Sequence, residues 1–111
     1  MDNAVTELEK KLMDLHDATM HQQSQSINLL DQLKKINPDS LKLRSTFLDS
    51  LKSDLSKSSD EMMDWMGRYE LPKEKDSTAY KYFEMQLVEM KMISNHLSEA
   101  IQNAKKIIPS K

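Results

Sequence analysis

Glu61-Met62-Met63-Asp64-Trp65-Met66-Gly67-Arg68-Tyr69 is the stretch on which the fold turns. It holds three of the nine methionines, the only tryptophan and the only glycine of a 111-residue chain. Its large side chains recur at helical spacing. Met62, Met66 and Tyr69 share one stripe, Trp65 lies on its shoulder and Met63 lies on the other side. Toward the N-terminus the stripe continues through Leu55, Leu51, Leu48 and Leu41, with Phe47 on the same shoulder as Trp65. Between Lys52 and Asp60 only Leu55 is apolar, which reads as a solvated middle. Asn37-Pro38 suits the start of this helix, with Asn37 as cap and Pro38 at the first helical position. Leu71-Pro72 ends it, so the spacing predicts a helix over 38–70.

The flanking segments have the same character. Leu8, Leu12, Leu15, Thr19, Gln22, Ser26, Leu29, Leu30, Leu33 and Ile36 recur every three or four residues, predicting a helix over 4–36. His16 and Met20 sit one turn apart on its flank. After the charged link Lys73-Glu74-Lys75, any of Asp76, Ser77 or Thr78 can cap a third helix over 77–108, which Pro109 stops. Its stripe is Ala79, Phe83, Leu87, Met90, Ile93, Ser94, Leu97, Ile101, Ala104 and Ile108. Phe83, Met90, Leu97 and Ala104 keep the seven-residue period of a coiled-coil seam.

Charged residues make up 31% of the chain and hydrophobic ones 38%, with one glycine and three prolines. So few turn formers argue against a sandwich or barrel. The expectation is one domain over 1–111, all-α, an up-down-up antiparallel three-helix bundle with rods about 45 Å long. A two-stranded or swapped homodimer uses the same helices. The expected core is Leu8, Leu12, Leu15, Leu48, Leu51, Leu55, Met62, Met66, Phe83, Leu87, Met90, Leu97 and Ile101. If residue 36 faces residue 41, His16 lies level with residues 60–61. If residue 70 faces residue 76, Met62 lies level with residue 84.

Net charge is −2 with the signs interspersed, so no basic stripe points to nucleic acid. No apolar run is long enough for a transmembrane segment. No charged-then-apolar leader is present, so the chain reads as cytoplasmic or as the mature part of a longer precursor. The absence of cysteine excludes disulfides and thiolate chemistry. Catalytic motifs are missing too: no Gly-rich loop, no H-E-x-x-H and no paired carboxylates in a recognisable cleft, so the chain does not read as an enzyme.

Two functional readings remain. In the first, His16, Met20, Met62, Met63 and Met66 ligate a soft metal, copper, since thioethers and imidazole suit Cu(I) and a cysteine-free chain must use them. Asp17 or Asp60 would then orient the imidazole. The plainer account of the same methionines is that thioethers fill an irregular helical core and touch aromatic rings. In the second, Met63, Met85 and Met92, with Tyr82, form an adaptable apolar surface for a protein partner and no metal is involved. His21 and His96 lie off the core stripes and read as solvated.

His16-Asp17-Ala18-Thr19-Met20 and Met62-Met63-Asp64-Trp65-Met66 resemble the His-Asp-x-x-Met and Met-Met-x-Trp-Met elements of a small helical family of Bacteroidetes. Its members are often labelled viral A-type inclusion protein-like. In this chain His21-Gln22 follows Met20, where the family typically has Met-Pro. The resemblance implies a lipoprotein-like protein of the cell envelope and confers no established activity.

Overall fold

The computed structural model describes residues 2–36 and 45–108. They form three helices, α1 (Asp2–Lys34), α2 (Ser45–Arg68) and α3 (Ser77–Lys105), and contain no strand. Each helix packs against the other two in a body measuring 58 × 25 × 15 Å. The helices stop two or three residues short of the ends expected from spacing. The expected cap at Asn37-Pro38, the stripe position at Leu41 and the stop at Pro109 lie outside the described residues. Of the three possible caps of α3, Asp76 serves: its Oδ1 accepts the Ala79 N–H at 3.0 Å.

One rule places most inward residues of all three helices, and buried Gln23 and Ile101 lie one position past it. On α1 they are Val5, Leu8, Leu12, Leu15, Thr19, Gln22, Ser26, Leu29 and Leu33. On α2 they are Leu48, Leu51, Leu55, Ser58, Met62, Trp65 and, just past its end, Tyr69. On α3 they are Ala79, Phe83, Gln86, Met90, Ile93, Leu97, Ala100 and Ala104. The steps alternate strictly between three and four, a mean of 3.5, which keeps each seam facing its neighbours over the whole length of the rods.

That alternation corrects the expected core at one place that matters. From Met62 it steps by three to Trp65 and by four to Tyr69, so Met66 falls one residue past the seam. Trp65 is 2% exposed and Met66 is 40% exposed. The indole occupies the interior position, where its larger apolar surface gains more from burial than a thioether would. Leu8, Leu15 and Leu87 are half-buried at the margin of the core.

The interior is divided in two. One apolar cluster gathers Val5, Leu12, Met62, Trp65, Ala79, Phe83, Met90, Ile93 and Leu97. The other gathers Leu29, Leu33, Leu48, Leu51, Leu55, Ala100, Ile101 and Ala104. Thr19, Gln23, Ser26 and Ser58, all buried, lie between them. Each hydrogen bond in this band replaces one that burial takes from water. Ser26 Oγ donates to Leu55 O and Ser59 Oγ to Ser26 Oγ, both at 3.3 Å. Gln23 Nε2 donates to Ser59 O at 3.3 Å, and Thr19 Oγ1 turns back to Leu15 O at 2.7 Å. The polar middle of α2 is therefore not uniformly solvated, because Ser58 and Ser59 belong to this band.

Candidate functional site

The end of the rod that holds Trp65 carries most of the side chains with chemical potential. His16, Trp65, Tyr69, Tyr82 and Phe83 form a chain of rings. His16 lies against Trp65 with centroids 5.6 Å apart, and Trp65 stacks on Tyr69 at 4.9 Å. Tyr69 is 5.9 Å from Tyr82, and Tyr82 meets Phe83 edge-on at 5.9 Å. The Trp65 indole N–H donates to Gln86 Oε1 at 2.6 Å. His16, Trp65 and Gln86 thus share a layer. His16 lies about one turn beyond the level of residues 60–61 expected from the turns.

Each proposed ligand has a definite place. His16 is half-buried, and its Nδ1 is 3.4 Å from Asp17 Oδ1. Asp17, not Asp60, is therefore the carboxylate at the imidazole. Met20 is half-buried against the Trp65-containing cluster. Met63 and Met66 are both exposed, at 58% and 40%. Met62 has no exposure at all. It is a seam residue like Leu55, and a buried seam thioether cannot turn outward without opening the core. The set of five is thus split, with His16, Met20, Met63 and Met66 reaching or bordering the surface and Met62 inside. Among the described residues no three His, Asp or Glu side chains gather as they would around a harder cation.

Tyr69 is the unusual titratable group. Its hydroxyl is buried with no hydrogen-bond partner among the described residues. Burial, and then the nearby charges of Glu9 and Tyr82, push its pKa up from the ordinary value, because each disfavours the phenolate. The Tyr82 hydroxyl accepts the Glu70 N–H at 2.8 Å and so fastens the chain just beyond α2.

The α2–α3 edge carries a ladder of charges that spacing along single helices did not reveal. Arg68 Nη2 pairs with Glu89 Oε1 at 2.5 Å and also reaches Asp64. The hydrogen bond and charge of Glu89 hold the guanidinium pKa above its usual value. One heptad along, His96 Nδ1 lies 2.9 Å from Glu61 Oε2. His96 is exposed as expected, yet it has a partner. The available signal was the matching interval of seven, Glu61 to Arg68 on α2 and Glu89 to His96 on α3. A groove of about 270 Å³ beside this ladder is lined by Asp54, Lys57, Ser58, Glu61, His96 and Asn103, among others. It is open along its length. No family model, curated protein or solved structure matches the chain.

Proposed function

We propose that this is a non-catalytic helical-bundle binding protein that holds a soft ion, Cu(I), on the face carrying His16, Met20, Met63 and Met66. The bundle runs up-down-up. Residue pairs support that order: Gln23 with Ser59, Ser26 with Leu55 and His16 with Trp65 between α1 and α2. Between α2 and α3 the pairs are Glu61 with His96 and Arg68 with Glu89. As one partner advances along its helix, the other retreats.

The observation that carries the ion reading is the place of His16. One heptad before Gln23 on α1 is His16, and one heptad after Ser59 on α2 is Met66, beside the Trp65 that His16 touches. An accessible imidazole therefore faces an accessible thioether. Met20 follows His16 by one turn, and Met63 precedes Met66 by three residues. Neutral nitrogen and thioether sulfur are the donors that a cysteine-free chain offers Cu(I). Asp17 can fix the imidazole tautomer from Nδ1, leaving Nε2 for the ion. The open grooves, lined by solvated charges, favour binding over turnover.

The likeness of the two motifs to the Bacteroidetes helical family belongs to the same proposal, and with it a place in the cell envelope. The test is an anaerobic Cu(I) titration against a competing chelator, followed by Trp65 emission. Expected is sub-micromolar affinity that His16→Ala lowers at least about tenfold, the size of one lost metal ligand or its orienting partner. Binding that His16→Ala and Met66→Leu leave unchanged, or no binding, would sink the reading. A second reading, an apolar docking surface with no metal, is favoured by the exposure of Met85 and Met92 on α3.

A further inference from the structure

Met85, Val88 and Met92 are 69, 62 and 54% exposed. Their spacing of three and four gives α3 a second apolar stripe, on the side away from Phe83, Met90 and Leu97. Glu84 and Lys91 border it along one edge, and Tyr82 and Glu89 along the other. Glu84 and Lys91 are exposed, and neither forms an ion pair with any described residue.

We propose that this stripe pairs with its counterpart on a second copy of the chain, the two α3 helices lying antiparallel about a two-fold axis at Gln86–Leu87. The charges select this arrangement. Here Met85 packs on Val88 of the second copy, Met92 covers the aliphatic stem of its Lys81, and Glu84 faces its Lys91. By symmetry every contact occurs twice. Sliding one heptad, so that Met92 meets Val88, sets Lys91 against Lys91 and Glu89 against Glu89. Turning the helices parallel sets Glu84 beside Glu89. Both alternatives juxtapose like charges, and only the first pairs opposite ones. Three side chains per copy make a small interface, so the dimer is weak and exchanges freely. The proposal gives an occupant to the metal-free docking reading and uses no residue of the copper face.

Sedimentation of the full chain with chelator present, from roughly 10 μM to roughly 1 mM, reads the outcome over the range where small interfaces form. The wild type is expected to dimerise as concentration rises. Glu84→Lys and Lys91→Glu, each unchanged in helicity and melting, are each expected to associate about tenfold more weakly, since two attractions become two repulsions. An equal mixture of these two variants is expected to recover wild-type association or better, because each then meets the opposite charge. A strict monomer, a mixture no stronger than its components, or a dimer indifferent to Met85→Glu and Met92→Glu overturns the proposal. If the protein stays monomeric but binds a synthetic leucine-striped helix in a Met92-dependent way, self-pairing is overturned while the broader docking reading survives.

Discussion

The indole nitrogen of Trp65 and the side-chain carbonyl of Gln86 are 2.6 Å apart, across the contact between α2 and α3. The ring is 2% exposed, so this bond is the only outlet for a donor that burial has removed from water. It also fixes the height of α3 against α2, since a slip of one turn would leave the N–H unpaired. Truncating the ring, Trp65→Ala, should cost about 3–5 kcal/mol by urea denaturation, the usual range for a large core aromatic. Gln86→Leu keeps the bulk and removes the acceptor, and should cost about 1–3 kcal/mol. A loss under about 0.5 kcal/mol for Gln86→Leu would mean that the bond does not hold the layer together.

Tyr69 supplies the converse case. Its hydroxyl is buried without a partner among the described residues, so the desolvation penalty stands uncompensated. Tyr69→Phe should leave the ring stack intact and raise stability by up to about 1 kcal/mol, part of the cost of an orphaned hydroxyl. The pH dependence follows from the raised folded-state pKa. Folding holds the phenol proton more tightly than the unfolded chain does. The tyrosine's contribution is therefore complete below the unfolded value of 10.0 and is lost as pH climbs from there through the folded value. Melting followed from pH 9 to pH 11 should show an alkaline fall in stability that is smaller in Tyr69→Phe. Equal slopes in the two proteins would dismiss the linkage.

Gly67 lies inside α2, one residue before its end, and a methyl group added there would meet nothing within 4 Å. Its backbone freedom serves no close approach. Gly67→Ala should stabilise the protein by about 0.5–1 kcal/mol, through lower entropy of the unfolded chain and better helix propensity. A destabilised Gly67→Ala would reveal a demand on that turn that packing does not show.

The band of Thr19, Gln23, Ser26 and Ser58 has a testable role in register. Buried polar residues at or beside seam positions commonly give up stability in return for a single alignment of helices. Gln23→Leu combined with Ser26→Ala removes the two side-chain donors that α1 offers to another helix among the described residues. The thermal midpoint should rise, while amide dispersion in a proton–nitrogen spectrum should broaden as neighbouring registers become populated. A lower midpoint with a sharp spectrum would mean that these bonds act as ordinary supports.

The helical character of the chain was legible because three long apolar rhythms and a shortage of turn formers agree. A cap among Asp76, Ser77 and Thr78 was legible from side-chain type, and the structure selects Asp76. The exchange of Met66 for Trp65 was not. A plot at 100° per residue spreads both across one broad arc, and only the strict alternation of steps distinguishes them. The level of His16 came out about one turn away because it was inferred from the turns, whereas Gln23 and Ser59 align the rods through contacts distant in sequence. The division between exposed Met63 and Met66 and enclosed Met62 depends on that same phase, so three neighbouring sulfurs that look equivalent in the sequence have different access to an ion.

The two apolar clusters have a practical consequence for anyone following the unfolding of this molecule. Its sole indole sits in one of them, and the leucine-rich half on the far side of the serine and threonine girdle contains no tryptophan or tyrosine. An emission curve therefore follows the unfolding of one half directly, whereas far-ultraviolet ellipticity averages over both. Any gap between the two midpoints would measure how loosely the halves are coupled.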